Sequence, residues 1–69
     1  MNTIKVRTLR KRRGLRQSDM AEALGITKAT YSKKESGSIK FSLEESRFLA
    51  LFFDTTIEEL FFETESHTA

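Results

Sequence analysis

Cysteine is absent from the 69 residues, which excludes a disulfide framework and a thiolate metal site and fits a reducing cytoplasm. Histidine occurs once, as His67 in the polar C-terminal stretch, and the three glycines stand singly, so no glycine-rich phosphate loop can be read. A serine or threonine nucleophile needs a positioned base, and neither that base nor a cluster of metal ligands is visible. The expectation is a protein that is not an enzyme and has no cofactor, metal or small-molecule substrate. Long apolar runs are also missing. The longest, residues 48–53, is six residues, far below the ~20 that span a bilayer, and no signal-peptide pattern is seen. A soluble, cytoplasmic protein is expected. A chain this short forms one domain whose apolar core is marginal, so burial through self-association would help it.

What is present is charge, and it is segregated. Residues 1–40 carry eleven lysines and arginines against Asp19, Glu22 and Glu35, whereas residues 41–69 carry Arg47 against seven acids. A net charge of +2 therefore hides a basic half suited to a polyanion and an acidic half kept apart from it.

The stretch 17–37 reads as two short helices across a tight turn. Met20, Ala21 and Leu24 form an apolar set, Gly25 breaks it at a junction needing positive φ, Ile26 restores an apolar contact, and Thr27 supplies a hydroxyl cap for a second helix. Ala21 is small enough to let the second helix cross closely. A first helix runs from a cap at Asn2 or Thr3 to about Arg12, with Val6 and Leu9 facing the core, Ile4 beside them and Gly14 as the stop.

The set Leu9-Arg10, Gly14-Leu15-Arg16-Gln17, Ala21, Leu24-Gly25-Ile26-Thr27, Glu35, Gly37, Ser42-Leu43, Ile57 and Leu60-Phe61 closely resembles the Cro/CI-type (XRE-like) helix-turn-helix domains of phage and bacterial regulators. The resemblance covers roughly residues 3–62. It implies an all-α, compact five-helix bundle of the lambda-repressor-like type, with the helix-turn-helix made by helices 2 and 3, a domain over 1–62 and a disordered tail over 63–69. It also implies that Arg10 pairs with Glu35 and clamps helix 1 to helix 3. The cluster Arg10-Lys11-Arg12-Arg13 otherwise reads as a phosphate-binding patch, as a localisation-like run, or as the solvated side of a helix whose cations favour the C-terminal dipole.

For the proposed reading helix, Lys28, Ala29, Ser32 and Lys33 lie on the outward surface, from which lysine can donate to guanine and an alanine methyl can meet thymine's. Gln17 is expected on the DNA backbone through the N-terminus of helix 2. Arg16 stands where the resembling domains often have a hydroxyl cap, and is expected to serve a phosphate instead. Thr27, Lys34, Ser38 and Lys40 complete the expected phosphate set; Lys34 departs from an apolar position and is expected to snorkel to the rim. Tyr31, another departure, should pack inward on Leu24 and Ile26 with its hydroxyl at the edge. Ile39 or Phe41 lies beneath the loop.

Ser42-Leu43-Glu44-Glu45 is a capping box. Leu43, Leu49, Ala50 and Phe53 take the core side of the fourth helix with Ser46 between them. Phe48, Leu51 and Phe52 form a second stripe turned away, expected to bind a partner, most simply a symmetric homodimer. Thr55 or Thr56 caps a short last helix with Ile57, Leu60 and Phe61 inward, Glu58 and Glu59 outward, and Phe62 extending the patch. The function expected is sequence-specific binding of double-stranded DNA by a small transcriptional regulator, a dimeric repressor occluding a near-palindromic operator. Two alternatives stay open: an antitoxin or controller that also binds a protein, and an interaction module without DNA affinity.

Overall fold

In the computed structural model, described over residues 2–62, the chain winds into five helices with no strand among the described residues. They are α1 (Ile4–Arg12), α2 (Gln17–Leu24), α3 (Lys28–Ser36), α4 (Leu43–Phe52) and α5 (Glu58–Phe62), the last with π winding. The expected tail over 63–69, with His67, lies outside the described residues.

Local chemistry explains most boundaries. At the start of α1 the Asn2 carboxamide oxygen accepts from the Ile4 N–H at 2.9 Å, while the Thr3 hydroxyl donates to the Glu35 carbonyl at 2.6 Å and so ties α1 to the end of α3. Gly25 ends α2 at φ 73°, in the left-handed region. The Ile26 N–H then donates to the Ala21 carbonyl at 3.0 Å, which closes a Schellman turn. Thr27 Oγ1 accepts from the Thr30 N–H at 3.1 Å and starts α3. At α4 the capping box is complete: Ser42 Oγ accepts from the Glu45 N–H at 3.0 Å and Glu45 Oε1 accepts from the Ser42 N–H at 2.8 Å. Thr56, rather than Thr55, caps the last helix, accepting from the Glu59 N–H at 3.1 Å.

The core joins Val6, Met20, Ala21, Tyr31, Phe41, Leu49, Phe53, Leu60 and Phe61. Phe41 is its hub. Its ring lies 6.1 Å from that of Tyr31 and 5.8 Å from that of Phe61, tilted at 58° and 51°, so one aromatic series joins α3, the following loop and α5. The Asn2 N–H donates to the Phe61 carbonyl at 3.0 Å and fixes the chain start against α5. Between Ile39 and Phe41, it is Phe41 that is buried.

Two apolar positions differ from their expected placing. Ile4 and Leu43 are both 64% exposed, because each opens its helix, where one side of the first turn has no neighbouring element to cover it. Phe52 is half-buried and not simply outward: its ring meets Phe53 edge-on at 5.0 Å while stacking on Phe48 at 5.6 Å. Among the described residues no helix is long and apolar enough to cross a membrane.

Candidate nucleic-acid interface

The two helices that pack most extensively are α2 and α3. Their junction turns on Gly25, and the buried residues of α3 lie on its inner side: Tyr31 and Glu35, one turn apart. The opposite side is therefore free. Lys28, Ala29 and Lys33 are exposed and Ser32 is half-buried, so the four expected base-facing positions share one outward surface.

The inner side is held by a polar network. Arg10 Nε donates to Glu35 Oε2 at 2.8 Å and Arg10 Nη2 to Glu35 Oε1 at 3.1 Å, while Nη1 reaches the Leu15 carbonyl at 2.8 Å. This fork joins α1, the α1–α2 turn and α3. Tyr31 Oη donates to Glu35 Oε2 at 2.6 Å and Gln17 Nε2 to Glu35 Oε1 at 3.1 Å. The tyrosine hydroxyl is thus inside, not at the edge as expected. Burial pushes the Glu35 carboxyl up, but the hydrogen bonds from Arg10, Tyr31 and Gln17 outweigh it and hold the group below its ordinary range. Burial first, and the Glu35 bond second, push the Tyr31 hydroxyl well above its ordinary value, so it stays a donor.

At the start of α2, Arg16 has no acceptor with which to cap. The helix keeps only the return half of a capping box: Asp19 Oδ2 accepts from the Arg16 N–H at 2.8 Å. That backbone bond is the main cause of the lowered Asp19 carboxyl. The Arg16 side chain is 83% exposed, its Nε 3.5 Å from Asp19, and so extends into solvent beside the helix N-terminus. Lys40 and Ser38 are exposed on the loop after α3, with Ser38 Oγ 3.2 Å from Ser36 Oγ.

Three expected phosphate ligands also have partners within the chain. Lys34 Nζ lies 2.6 Å from Glu45 Oε1, with both side chains largely covered; the acid that closes the capping box of α4 is thus its counter-charge within the chain. Burial raises the Glu45 carboxyl, yet Lys34 and the Ser42 N–H bring it below its ordinary value. Thr27 spends its hydroxyl hydrogen on Thr30 Oγ1 at 2.9 Å. Gln17 gives one amide N–H to Glu35.

Arg13, though exposed, also has a partner on α4. Its guanidinium lies 5.4 and 5.2 Å from the ring centres of Phe52 and Phe53, and Nη1 donates to the Phe52 carbonyl at 2.7 Å. It therefore caps the C-terminus of α4 from the other end of the sequence, a contact without a local signal. On α4 itself, Phe48 is 36% and Leu51 82% exposed, and Phe62 beyond is 58% exposed.

The helix-turn-helix family model matches residues 6–60. The HTH-type transcriptional regulator AnsR of Bacillus subtilis (strain 168) is 43% identical over 60 residues, covering 87% of this chain and 52% of that protein. The cryptic phage CTXphi transcriptional repressor RstR of Vibrio cholerae is 36% identical over 67 residues, covering 97% of this chain and 60% of that protein. The chain thus spans between half and two thirds of the length of these curated relatives. No solved structure matches.

Proposed function

Because the chain belongs to the helix-turn-helix family, we propose that it binds double-stranded DNA sequence-specifically as a small transcriptional regulator. In this reading it is a homodimeric repressor that occludes a near-palindromic operator in the bacterial cytoplasm. One observation carries it: α3 is fixed by Tyr31 and Glu35 inside, and offers Lys28, Ala29, Ser32 and Lys33 outside. That leaves a rigid helix with small and cationic outward residues, suited to a major groove. Arg16, Gln17, Ser38 and Lys40 flank it as backbone contacts. The relatives' names, one a transcriptional regulator and one a transcriptional repressor, support the same reading.

In a dimer the two α3 helices would enter successive major grooves roughly 34 Å apart. The surface available for pairing is the outward stripe of Phe48 and Leu51 with Phe62. The test is selection of bound duplexes from a random-sequence pool at physiological salt. Enrichment of an inverted repeat with half-sites about one helical turn apart supports the dimeric reader; no enrichment above background rejects sequence-specific binding and turns attention to a protein partner for the Phe48 stripe. On the selected site, Lys40→Ala should weaken all sequences alike, whereas Lys28→Ala and Lys33→Ala should relax preference at particular base pairs by about 1–3 kcal/mol each. Uniform weakening by all three would remove the base-reading assignment.

A further inference from the structure

We propose that Tyr31 and Glu35 are positioning residues for the backbone-phosphate contact of Gln17, an inference that rests on the DNA-binding reading and extends it to two buried side chains. A carboxylate offers about four acceptor positions, and Glu35, buried at 2% exposure, has all of them taken. Oε2 accepts from Arg10 Nε at 2.8 Å and Tyr31 Oη at 2.6 Å; Oε1 accepts from Arg10 Nη2 at 3.1 Å and Gln17 Nε2 at 3.1 Å. A saturated carboxylate has one orientation. Each donor fixes it for the other three.

Gln17 is the outermost member of this set, half-buried at the first position of α2. The bonded turns of α2 begin at Asp19 and Met20, whose N–H groups donate to the Arg16 carbonyl at 3.0 and 3.2 Å. The N–H groups of Gln17 and Ser18 therefore precede the first intrahelical bonds and suit an anion. With one amide hydrogen on Glu35, Gln17 keeps a second hydrogen to donate, on a side chain whose orientation that bond already selects. A flexible glutamine would have to be ordered on binding, and that cost is removed here before DNA arrives. Tyr31 and Glu35 also belong to α3, so the same carboxylate fixes the phosphate-contacting end of α2 relative to the base-reading helix.

The hydroxyl of Tyr31 can be removed without opening the core. Tyr31→Phe keeps the ring against Phe41 and leaves Arg10 on both oxygens, so no buried donor is orphaned. It frees one acceptor position on Oε2 and leaves the Arg10 fork as the remaining hold on that oxygen, so the contact of Oε1 with Gln17 is less firmly fixed. The experiment uses the full chain with Tyr31→Phe, Gln17→Ala and both together. Two quantities are read: the side-chain amide NMR signals of Gln17 in the free protein, and affinity for a mixed-sequence duplex at low salt.

In Tyr31→Phe the Gln17 amide signals should shift toward the positions of a freely rotating glutamine. Each single change should weaken binding by about fivefold, and the double change should be no weaker than Gln17→Ala alone. Equal weakening by Tyr31→Phe with and without Gln17 would overturn the proposal. So would a lowered melting temperature with unchanged affinity, the signature of a merely structural hydroxyl. A wild-type chain that binds no duplex would sink the DNA-binding reading and this inference with it, whereas binding without coupling removes this inference alone.

Discussion

Glu35 remains ionised in the interior because a fork of arginine, a tyrosine hydroxyl and a glutamine amide replace the water it loses. Removing one charge of such a pair leaves the other buried and unmatched, so Arg10→Met and Glu35→Leu should each cost about 3 kcal/mol. The double variant should be more stable than the sum implies, with a coupling of about 2 kcal/mol in urea unfolding; additive costs would show that the pair does not act as one. The same carboxylate gives a pH signature. Its folded pKa is depressed from an ordinary value of 4.5, so its stabilisation is fully present above that value and is lost as pH falls through the folded pKa. Glu45, depressed through Lys34 and Ser42, acts in the same direction. Urea midpoints should therefore decline below about pH 4.5, and the decline should be shallower in Glu35→Leu; an unchanged decline would assign acid sensitivity to other groups.

Helix ends show where sequence signals are sufficient and where they are not. Gly25 and Gly37 end α2 and α3 in left-handed conformations, at φ 73° and 93°, as a glycine after an apolar or polar helical run suggests. The end of α4 has the same geometry without a glycine. Asp54 sits at φ 57°, and the Thr55 N–H donates to the Ala50 carbonyl at 2.8 Å. Aspartate tolerates this region at a cost that glycine avoids, while glycine loses more backbone entropy on folding. On balance Asp54→Gly should raise stability by roughly 0.5 kcal/mol, visible as a higher melting temperature, and a lower one would mean that the aspartate side chain contributes more than its backbone strain costs. Lys34 illustrates the converse limit. Its departure from an apolar position was visible in the sequence, but its partner was not, because Glu45 comes close only when α4 packs across the end of α3.

At the scale of the molecule, most of the cations lie on α1, at Arg16 before α2 and on α3, whereas α2 itself carries Asp19 and Glu22 without a lysine or arginine, and α4 and α5 supply further acids. The outward apolar residues Phe48, Leu51 and Phe62 lie on the acidic half of the sequence, and none of them belongs to α3, to which the DNA-binding proposal assigns the base contacts. Phe48 is stacked on Phe52, which Arg13 covers in turn, and this fixes part of the stripe before any partner binds. If the stripe joins two copies, Phe48→Lys should convert a dimer to a monomer by sedimentation at high micromolar concentration. It should also flatten the salt dependence of binding, since half of the about 6–10 phosphates neutralised by a dimer are then lost. A wild-type chain that is monomeric without DNA, with affinity unaffected by Phe48→Lys, would remove the homodimer from the proposal.

The sequence by itself determined the elements: helical spacing, hydroxyl caps and glycine stops are local, and each acts through residues within one or two turns. It also pointed to a helix-turn-helix made by α2 and α3, through the junction Gly25-Ile26-Thr27 and through the resemblance of the residues on both sides to the Cro/CI-type domains. Only the tertiary structure decided which long polar side chains meet. Lys34 reaches Glu45, Arg13 reaches the end of α4, and Tyr31 and Gln17 converge with Arg10 on Glu35. Such side chains have several rotatable bonds and no preferred partner along the chain. Packing brings one particular oxygen within reach, and that selects among them.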